Sequence, residues 1–189
     1  MRLFVAAEIS HAVVAAAMDC IETMRARVAR LAPGARITWI TAERLHVTLR
    51  FIGHVSEPHA ATILHALRPP LNQTPFNVSI AGVGTFPPKG SPRVVWAGVK
   101  AGRDRLIALE EAISGRLADV EVAREARPFD PHLTLARVRE AAGLRSQALL
   151  QGLADTVLGS TPLDAITLFE SRLSPHGPQY QPLQRTLLT

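Results

Sequence analysis

The strongest constraint on this chain is a short motif that occurs twice. His46-Val47-Thr48-Leu49-Arg50 stands in one half of the 189 residues, and His132-Leu133-Thr134-Leu135-Ala136-Arg137 stands in the other. In a β-strand, residues two apart point to the same face, so each copy predicts a strand with His and Thr on one face and apolar side chains in a core. We therefore expect two similar strands that bring two imidazoles and two hydroxyls to one cleft.

The composition fits a globular protein with an anionic partner. With 47% hydrophobic residues, a chain of this length can bury a core as one domain. Twenty-one basic residues against sixteen acidic ones give a net charge of +5, which suits a nucleotide or RNA. The same charge could serve solubility alone, so charge does not decide between these two interpretations.

The sequence disfavours several other classes of protein. The single cysteine, Cys20, rules out an internal disulfide and a Cys-based metal cluster. Each motif strand offers threonine where a second metal ligand would be needed, so we expect no metal and no other cofactor. The first apolar run, Leu3 to Ala7, is too short for a secretory signal, and no run approaches the length of a membrane span. We expect a cytoplasmic monomer that has no membrane partner.

Apolar patterns predict strands that alternate with helices. Strands are expected over residues 3–9, 37–40, 43–52, 76–83, 93–99, from 132 onward, and 163–173. Helices are expected over residues 10–31, 57–67, 103–117 and 144–153. Such alternation ordinarily suggests a parallel doubly wound sheet. However, Gly82-x-Gly84 is followed by prolines, which prevent the helix that a phosphate-binding loop would feed.

The repeated motif and the similar order of elements also predict an internal duplication within a single domain over residues 1–189. The two copies would cover approximately 1–86 and 93–189, although their overall identity is slight. The Pro-rich segment Phe86–Pro92 is the expected connection, and it is too short to allow freely moving domains.

The segments around both motifs are as informative as the motifs themselves. They are Arg2–Ala6, Trp39, Leu45–Gly53, Phe86-Pro87, Pro92–Trp96, Arg127–Phe129, Pro131-His132 and Ser171–Pro175, with Gly177 and Tyr180. Together with the paired H-x-T-x motifs they resemble the two-histidine (2H) phosphoesterase superfamily. Within it, they resemble RNA 2′,3′-cyclic phosphodiesterases of the LigT/ThpR type, formerly called 2′-5′ RNA ligases. The resemblance implies an α/β fold of the α+β type, with two pseudo-two-fold lobes of antiparallel sheet flanked by helices. The active site would lie in the cleft between the lobes.

The resemblance also implies an enzyme that hydrolyses RNA 2′,3′-cyclic phosphodiester ends to 2′-phosphomonoesters without a metal, together with reversible 2′-5′ RNA ligation. This chemistry needs one group to activate water and another to protonate the departing ribose oxygen, and imidazole can do either near neutral pH. By resemblance, His46 is the general acid (proton donor) and His132 the general base (proton acceptor). Thr48 and Thr134 would hydrogen-bond the non-bridging phosphate oxygens.

Other residues near the motifs offer further contacts with substrate. Arg50 shares the strand parity of His46, so it could reach the phosphate. Phe4 could stack on a base, although a core role is the alternative for it and for Trp39. Arg137 has the opposite parity to His132, so we expect it to have a structural role. The remaining histidines belong to no paired pattern: His11, His54, His59, His65 and His176.

Two other hypotheses remain open at this point. A 2H phosphoesterase could act on a different substrate, such as a cyclic phosphate of an ADP-ribose product or a 2′-5′ oligonucleotide. Alternatively, a duplicated fold that had lost its chemistry could bind RNA in a basic cleft. The presence of both histidines and both threonines favours an enzyme over a binding module.

Overall fold

A computed structural model of the protein describes residues 1–175 and 177–189, so His176 lies outside the described residues. A short 3₁₀ turn, Ala42–Arg44, precedes the first motif strand. The other elements are β1 (Arg2–Glu8), α1 (His11–Leu31), β2 (Arg36–Trp39), β3 (His46–His54), α2 (Glu57–Leu67), β4 (Phe76–Phe86), β5 (Val94–Ala101), α3 (Arg103–Ala118), β6 (His132–Glu140), α4 (Ser146–Leu150), β7 (Val157–Leu163), β8 (Ala165–Ser174) and β9 (Gly177–Leu187).

The nine strands of the described residues form one sheet, in the order β7-β4-β5-β6-β3-β1-β8-β9, with β2 paired to β6. All neighbouring strands are antiparallel. The motif strands β3 and β6 lie at the centre, where Val47 is aligned with Leu133. These findings confirm the antiparallel α+β fold that the resemblance implies. The parallel sheet suggested by the alternation alone is wrong.

The helices cover one face of the sheet and leave the other face to the motif side chains. In α1, Ser10 caps the N-terminus by accepting a hydrogen bond from the Val13 amide, and apolar residues at helical spacing are buried. The core also contains Val47, Leu49, Leu133 and Leu135 from the motif strands. Burying each of these side chains stabilises the fold by roughly 1.5–3 kcal/mol. The face that carries His and Thr therefore remains available for a site.

The two sides of the sheet do not correspond to the two halves of the sequence. β4, from the first half, pairs with β5 and β7. β8, from the second half, pairs with β1. The internal duplication over 1–86 and 93–189 stays a prediction, and each side of the sheet contains strands from both segments.

The sequence-based prediction for the C-terminal region was partly wrong. The strand expected over 163–173 is β8, which begins at Ala165, whereas β7, which ends at Leu163, was not expected. The helix expected over 144–153 is limited to Ser146–Leu150. No strand was expected over Gly177–Leu187, a segment of prolines and polar residues, yet this segment forms β9 because its backbone pairs along the length of β8.

An irregularity in β3 changes which side chains face the cleft. Ala6 of β1 is aligned with Thr48, and the preceding residue Val5 is aligned with Arg50. One extra residue, Leu49, is therefore accommodated in β3, which makes a β-bulge and reverses the alternation of side chains beyond it. Arg50 is 2% exposed and Phe51 is 51% exposed.

The second motif strand has the same irregularity at the equivalent place. Trp96 of β5 is aligned with Thr134, and Val95 is aligned with Ala136. Ala136 is buried in the core and Arg137 is exposed on the cleft side, where it lines a cavity with Thr134. The placement of Arg137 away from the cleft, which its strand parity predicted, was wrong, because counting residues along an ideal strand missed the bulge.

The prediction that Arg50 reaches the phosphate was wrong for the same reason. Its guanidinium lies on the helix side of the sheet, donates a hydrogen bond to the carbonyl of Ala123, and is 3.5 Å from the carboxylate of Glu125. Arg50 thus holds the segment that leads into β6 in place. It stabilises the fold and does not line the cleft.

Arg50→Ala should lower the free energy of unfolding by about 2–4 kcal/mol, because the substitution leaves the Ala123 carbonyl without its buried donor. Urea unfolding followed by circular dichroism measures this change. Arg36→Ala removes an exposed arginine and should change stability by less than about 0.5 kcal/mol. Equal losses in the two variants would contradict the structural role of Arg50.

Candidate active site

The pairing of β3 with β6 brings the four motif residues together. Because Val47 is aligned with Leu133 in an antiparallel pair, His46 lies across from Thr134 and Thr48 lies across from His132. Each histidine therefore has a threonine on its own strand and another on the neighbouring strand. The four side chains occupy one face of one continuous sheet.

Hydrogen bonds orient the ring of His46. Its Nδ1 is 2.8 Å from the carbonyl oxygen of Arg44, and its Nε2 is 2.9 Å from Oγ1 of Thr48. A carbonyl only accepts, so Nδ1 donates to Arg44 and the Thr48 hydroxyl donates to Nε2 of the neutral ring. Nε2 is the atom available for proton transfer.

A hydrogen bond to the backbone also orients the ring of His132. Its Nδ1 donates to the carbonyl oxygen of Asp130, two residues earlier, at 2.7 Å. Within residues 1–175 and 177–189, the ring of His132 makes this hydrogen bond through Nδ1 and leaves Nε2 for proton transfer. In both histidines, the hydrogen bond from Nδ1 to the backbone carbonyl two residues earlier selects the tautomer that carries its proton on Nδ1.

The two rings differ in their surroundings. The ring centroid of His46 is 5.1 Å from that of Phe4 and 5.4 Å from that of Tyr180, which meets it edge-on. Burial among these rings lowers the pKa of His46 to about 4, and the positive charge of Arg137 acts in the same direction. The hydrogen bond to the Arg44 carbonyl opposes this shift. The free site therefore contains a neutral His46 at pH 7.

Phe4 lines the cleft but offers no open face to a base. It is 4% exposed, and its ring stacks on Phe169 with centroids 5.3 Å apart. The expected stacking of a base on Phe4 is corrected accordingly, because its neighbours already cover it. Phe51, whose centroid is 6.2 Å from Phe4, is the exposed aromatic ring at this end of the cleft.

A cavity of about 570 Å³, here called the arginine cavity, lies over the motif face. His46, Thr48 and Thr134 line it, and none of the described residues around it is acidic. Such a concentration of positive charge attracts an anion and holds phosphate oxygens through hydrogen bonds. The arginines that line it are Arg2, Arg44, Arg137 and Arg139.

The described part of the chain contains no group of three or more His, Cys, Asp or Glu side chains that could hold a metal ion.

Trp39 lies away from the cleft. The guanidinium of Arg25 is 5.8 Å from the centroid of its ring. Within residues 1–175 and 177–189, no helix is long and apolar enough to cross a membrane.

Comparisons with known proteins give similarities that span most of the chain. The model of the 2′-5′ RNA ligase superfamily matches residues 12–174. A protein of Aeropyrum pernix named RNA 2′,3′-cyclic phosphodiesterase is 36% identical over 151 residues, which cover 79% of this chain and 85% of that protein. A protein of Archaeoglobus fulgidus with the same name is 32% identical over 184 residues, which cover 97% of this chain and 98% of that protein. The crystal structure of E. coli LigT complexed with 3′-AMP has a TM-score of 0.69 and 28% identity over 100% of this chain and 98% of that chain.

Nuclear magnetic resonance titration of the His46 ring should give a midpoint near 4, because burial disfavours the charged form. Tyr180→Ala opens the ring to water and should raise this midpoint. The exposed variant His65→Gln should leave it unchanged.

The lowered pKa of His46 also makes the stability of the folded protein depend on pH. Between the unfolded value of about 6.5 and the folded value, the unfolded chain binds more protons, so the contribution of His46 to stability is lost as the pH falls through this window. A His46 midpoint above 6 in the free protein would contradict the buried, neutral ring.

Proposed function

The chain belongs to the 2′-5′ RNA ligase superfamily, and from this premise we propose that it hydrolyses RNA 2′,3′-cyclic phosphodiester ends to 2′-phosphomonoesters without a metal. One observation carries the proposal: two imidazoles, each held through Nδ1 by a backbone carbonyl, and two threonine hydroxyls lie on one face of the sheet, beside the arginine cavity. The names of the Aeropyrum and Archaeoglobus relatives support the same reaction.

The two histidines supply the two proton transfers. Nε2 of His132 accepts a proton from the attacking water, and Nε2 of His46 donates a proton to the departing 3′ oxygen. The bond from phosphorus to the 3′ oxygen breaks as the bond to water oxygen forms, so the phosphate remains on the 2′ oxygen. Thr48 and Thr134 hydrogen-bond the non-bridging oxygens, whose charge must be held in the transition state.

The acid role of His46 depends on the bound substrate. Its pKa is low in the free site because the ring is buried, and an anionic phosphodiester near Nε2 raises the pKa by favouring the imidazolium. A protonated imidazole in an apolar environment is also a strong proton donor. Substrate binding and protonation of His46 are therefore coupled.

Arg137 is proposed to bind the reacting phosphate. The β6 bulge turns it into the arginine cavity, and its charge acts on the pKa of His46. Its guanidinium can give two parallel hydrogen bonds to phosphate oxygens.

Exposed apolar side chains at the mouth of the arginine cavity suit the bases of the RNA. Phe51 is 51% exposed and Leu173 is 80% exposed, and both line the cavity. Stacking on such surfaces tolerates every base. Ligation would use the same site in the same direction, with the 5′-hydroxyl of a second strand attacking phosphorus in the place of water while the 3′ oxygen departs. Water at its ordinary concentration favours hydrolysis over this reaction.

His46→Ala and His132→Ala should each reduce hydrolysis of a 2′,3′-cyclic-phosphate-ended oligonucleotide by roughly 10²–10⁴-fold. The assay contains EDTA, and phosphorus NMR identifies the product as a 2′-phosphate. His54→Ala is the matched control, because His54 is an exposed histidine at the end of the same strand. Full activity in either motif variant would contradict the two-histidine mechanism.

A substrate with sulfur in place of the 3′ oxygen separates the two roles. A thiolate leaves without being protonated, so this substrate should restore turnover to His46→Ala but not to His132→Ala. Rescue of His132→Ala alone would reverse the assignment of acid and base.

Arg137→Ala should lower kcat/KM for the same oligonucleotide by roughly 10²-fold, because one donor to the transition-state phosphate is lost. Arg137→Lys keeps the charge but not the two parallel hydrogen bonds, so it should recover only part of the activity. Arg36→Ala serves as the control for loss of an exposed arginine. Unchanged kinetics in Arg137→Ala would remove this residue from the site.

A further inference from the structure

Glu8, at the end of β1, is the acidic neighbour of His46 in the sheet. The two residues are aligned across the antiparallel pair of β1 and β3. Side chains that are directly opposed in this way lie on the same face of a sheet, with their Cβ atoms about 5 Å apart. The carboxylate of Glu8 therefore lies on the motif face, beside the imidazole to which the proposed function gives the role of acid.

A hydrogen bond from the next strand holds this carboxylate in place. Oγ1 of Thr167, on β8, donates to Oε2 of Glu8 at 2.7 Å. Thr167 is buried, so its hydroxyl is a fixed donor. Glu8 and His46 both line a cavity of about 320 Å³, here called the Glu8 cavity. The strand alignment and the hydrogen bond thus place one negative charge beside one of the two motif histidines.

Several other ionisable side chains face His46. Besides the arginines of the arginine cavity, those that line the Glu8 cavity are Glu8 of β1, His11 of α1, Glu43 of the turn before β3 and Tyr180 of β9. Glu43 is held towards Thr41, whose hydroxyl donates to it at 2.5 Å. Burial is the main reason that the pKa of His46 is low, and the negative charge of Glu8 acts against burial by raising this pKa.

The corresponding position beside His132 carries no side chain. Gly98 of β5 is aligned with His132, in the place that Glu8 takes in the other strand pair. A Cβ on Gly98 would lie 3.1 Å from a backbone oxygen of β4, so the position has little space for a side chain. Asp130, which lines a cavity with His132, is paired with Arg103 at 2.8 Å, and this pairing offsets its charge. The neighbouring strands therefore place different charges beside the two imidazoles.

We propose that Glu8 is a positioning residue of the reaction: its carboxylate, held by Thr167, stabilises the imidazolium of His46 that protonates the departing 3′ oxygen. The inference rests on the proposed function and on its assignment of His46 as the acid. The proton moves from Nε2 of His46 to the 3′ oxygen, and Glu8 stays ionised throughout. Glu8 contacts neither the phosphate nor the attacking water, so it acts only through His46.

Such help matters because the imidazolium is scarce at neutral pH. With a pKa of about 4, roughly one free molecule in a thousand carries a protonated His46 at pH 7. In this range, the protonated fraction falls tenfold for each unit by which the pKa falls. A proton donor is most effective when its pKa is close to the pH at which it works. A carboxylate that raises the pKa of His46 therefore increases the rate of the step in which His46 is the acid.

Two substrates distinguish this role from a structural one. They are the oligonucleotide with a 2′,3′-cyclic phosphate and its analogue with sulfur in place of the 3′ oxygen, which departs without a proton. Glu8→Gln keeps an oxygen that can accept from Thr167 and loses the charge. For the oxygen substrate, this variant should lower kcat/KM at pH 7 by roughly threefold to tenfold, since solvent partly screens the exposed Glu8. For the sulfur analogue, kcat/KM should keep its wild-type value.

Glu8→Asp retains the charge, so it should keep most of the activity on the oxygen substrate. Glu43→Gln is the matched control, because it neutralises another carboxylate of the Glu8 cavity, and it should leave both rates unchanged.

Four results would overturn the inference while wild-type turnover preserves the proposed function. They are an equal loss on both substrates in Glu8→Gln, no loss on either, the same loss in Glu8→Asp, or the same loss in Glu43→Gln. Absence of wild-type turnover on both substrates would overturn the inference and the proposed function together.

Discussion

The pairing of β3 with β6 is the interaction on which the rest of the structure depends. The alignment of Val47 with Leu133 joins the two sides of the sheet and fills the core with the apolar residues of both motifs. It also sets each motif histidine across from the threonine of the other strand. A shift of one residue in this alignment would turn one set of polar side chains into the core, so folding and site geometry are enforced by the same contact.

Approximate two-fold symmetry of the backbone coexists with a chemically asymmetric site. Both imidazoles donate Nδ1 to the carbonyl two residues earlier, so their reactive atoms are equivalent. Their neighbours differ, because His46 is enclosed by Phe4 and Tyr180 whereas His132 meets the edge of Phe86 in a cavity that Lys100 also lines. The differences lie outside the motifs, so the two sides of the site are chemically distinct.

The sequence was sufficient to predict the motif residues, most helices and, through the resemblance, the antiparallel sheet. It was not sufficient to place Arg50 and Arg137, since the bulges at Leu49 and Leu135 have no side-chain signature and arise from the alignment with β1 and β5. Parity counting holds only while the pleat is regular. β9 was missed because its sequence is polar and its order comes from pairing with β8. The enclosure of His46 by Tyr180 of β9 could not be predicted for the same reason.

The interleaving of strands has a consequence for the order in which the molecule is built during synthesis. β1 emerges from the ribosome long before its second neighbour, β8, which begins at Ala165. Tyr180, which encloses His46, follows later still. Contacts between such distant segments form slowly, because a long loop must close before any of them is made. The face that carries the motif residues is therefore completed only after β9 has been released, and a nascent chain that already contains both motifs still lacks this face.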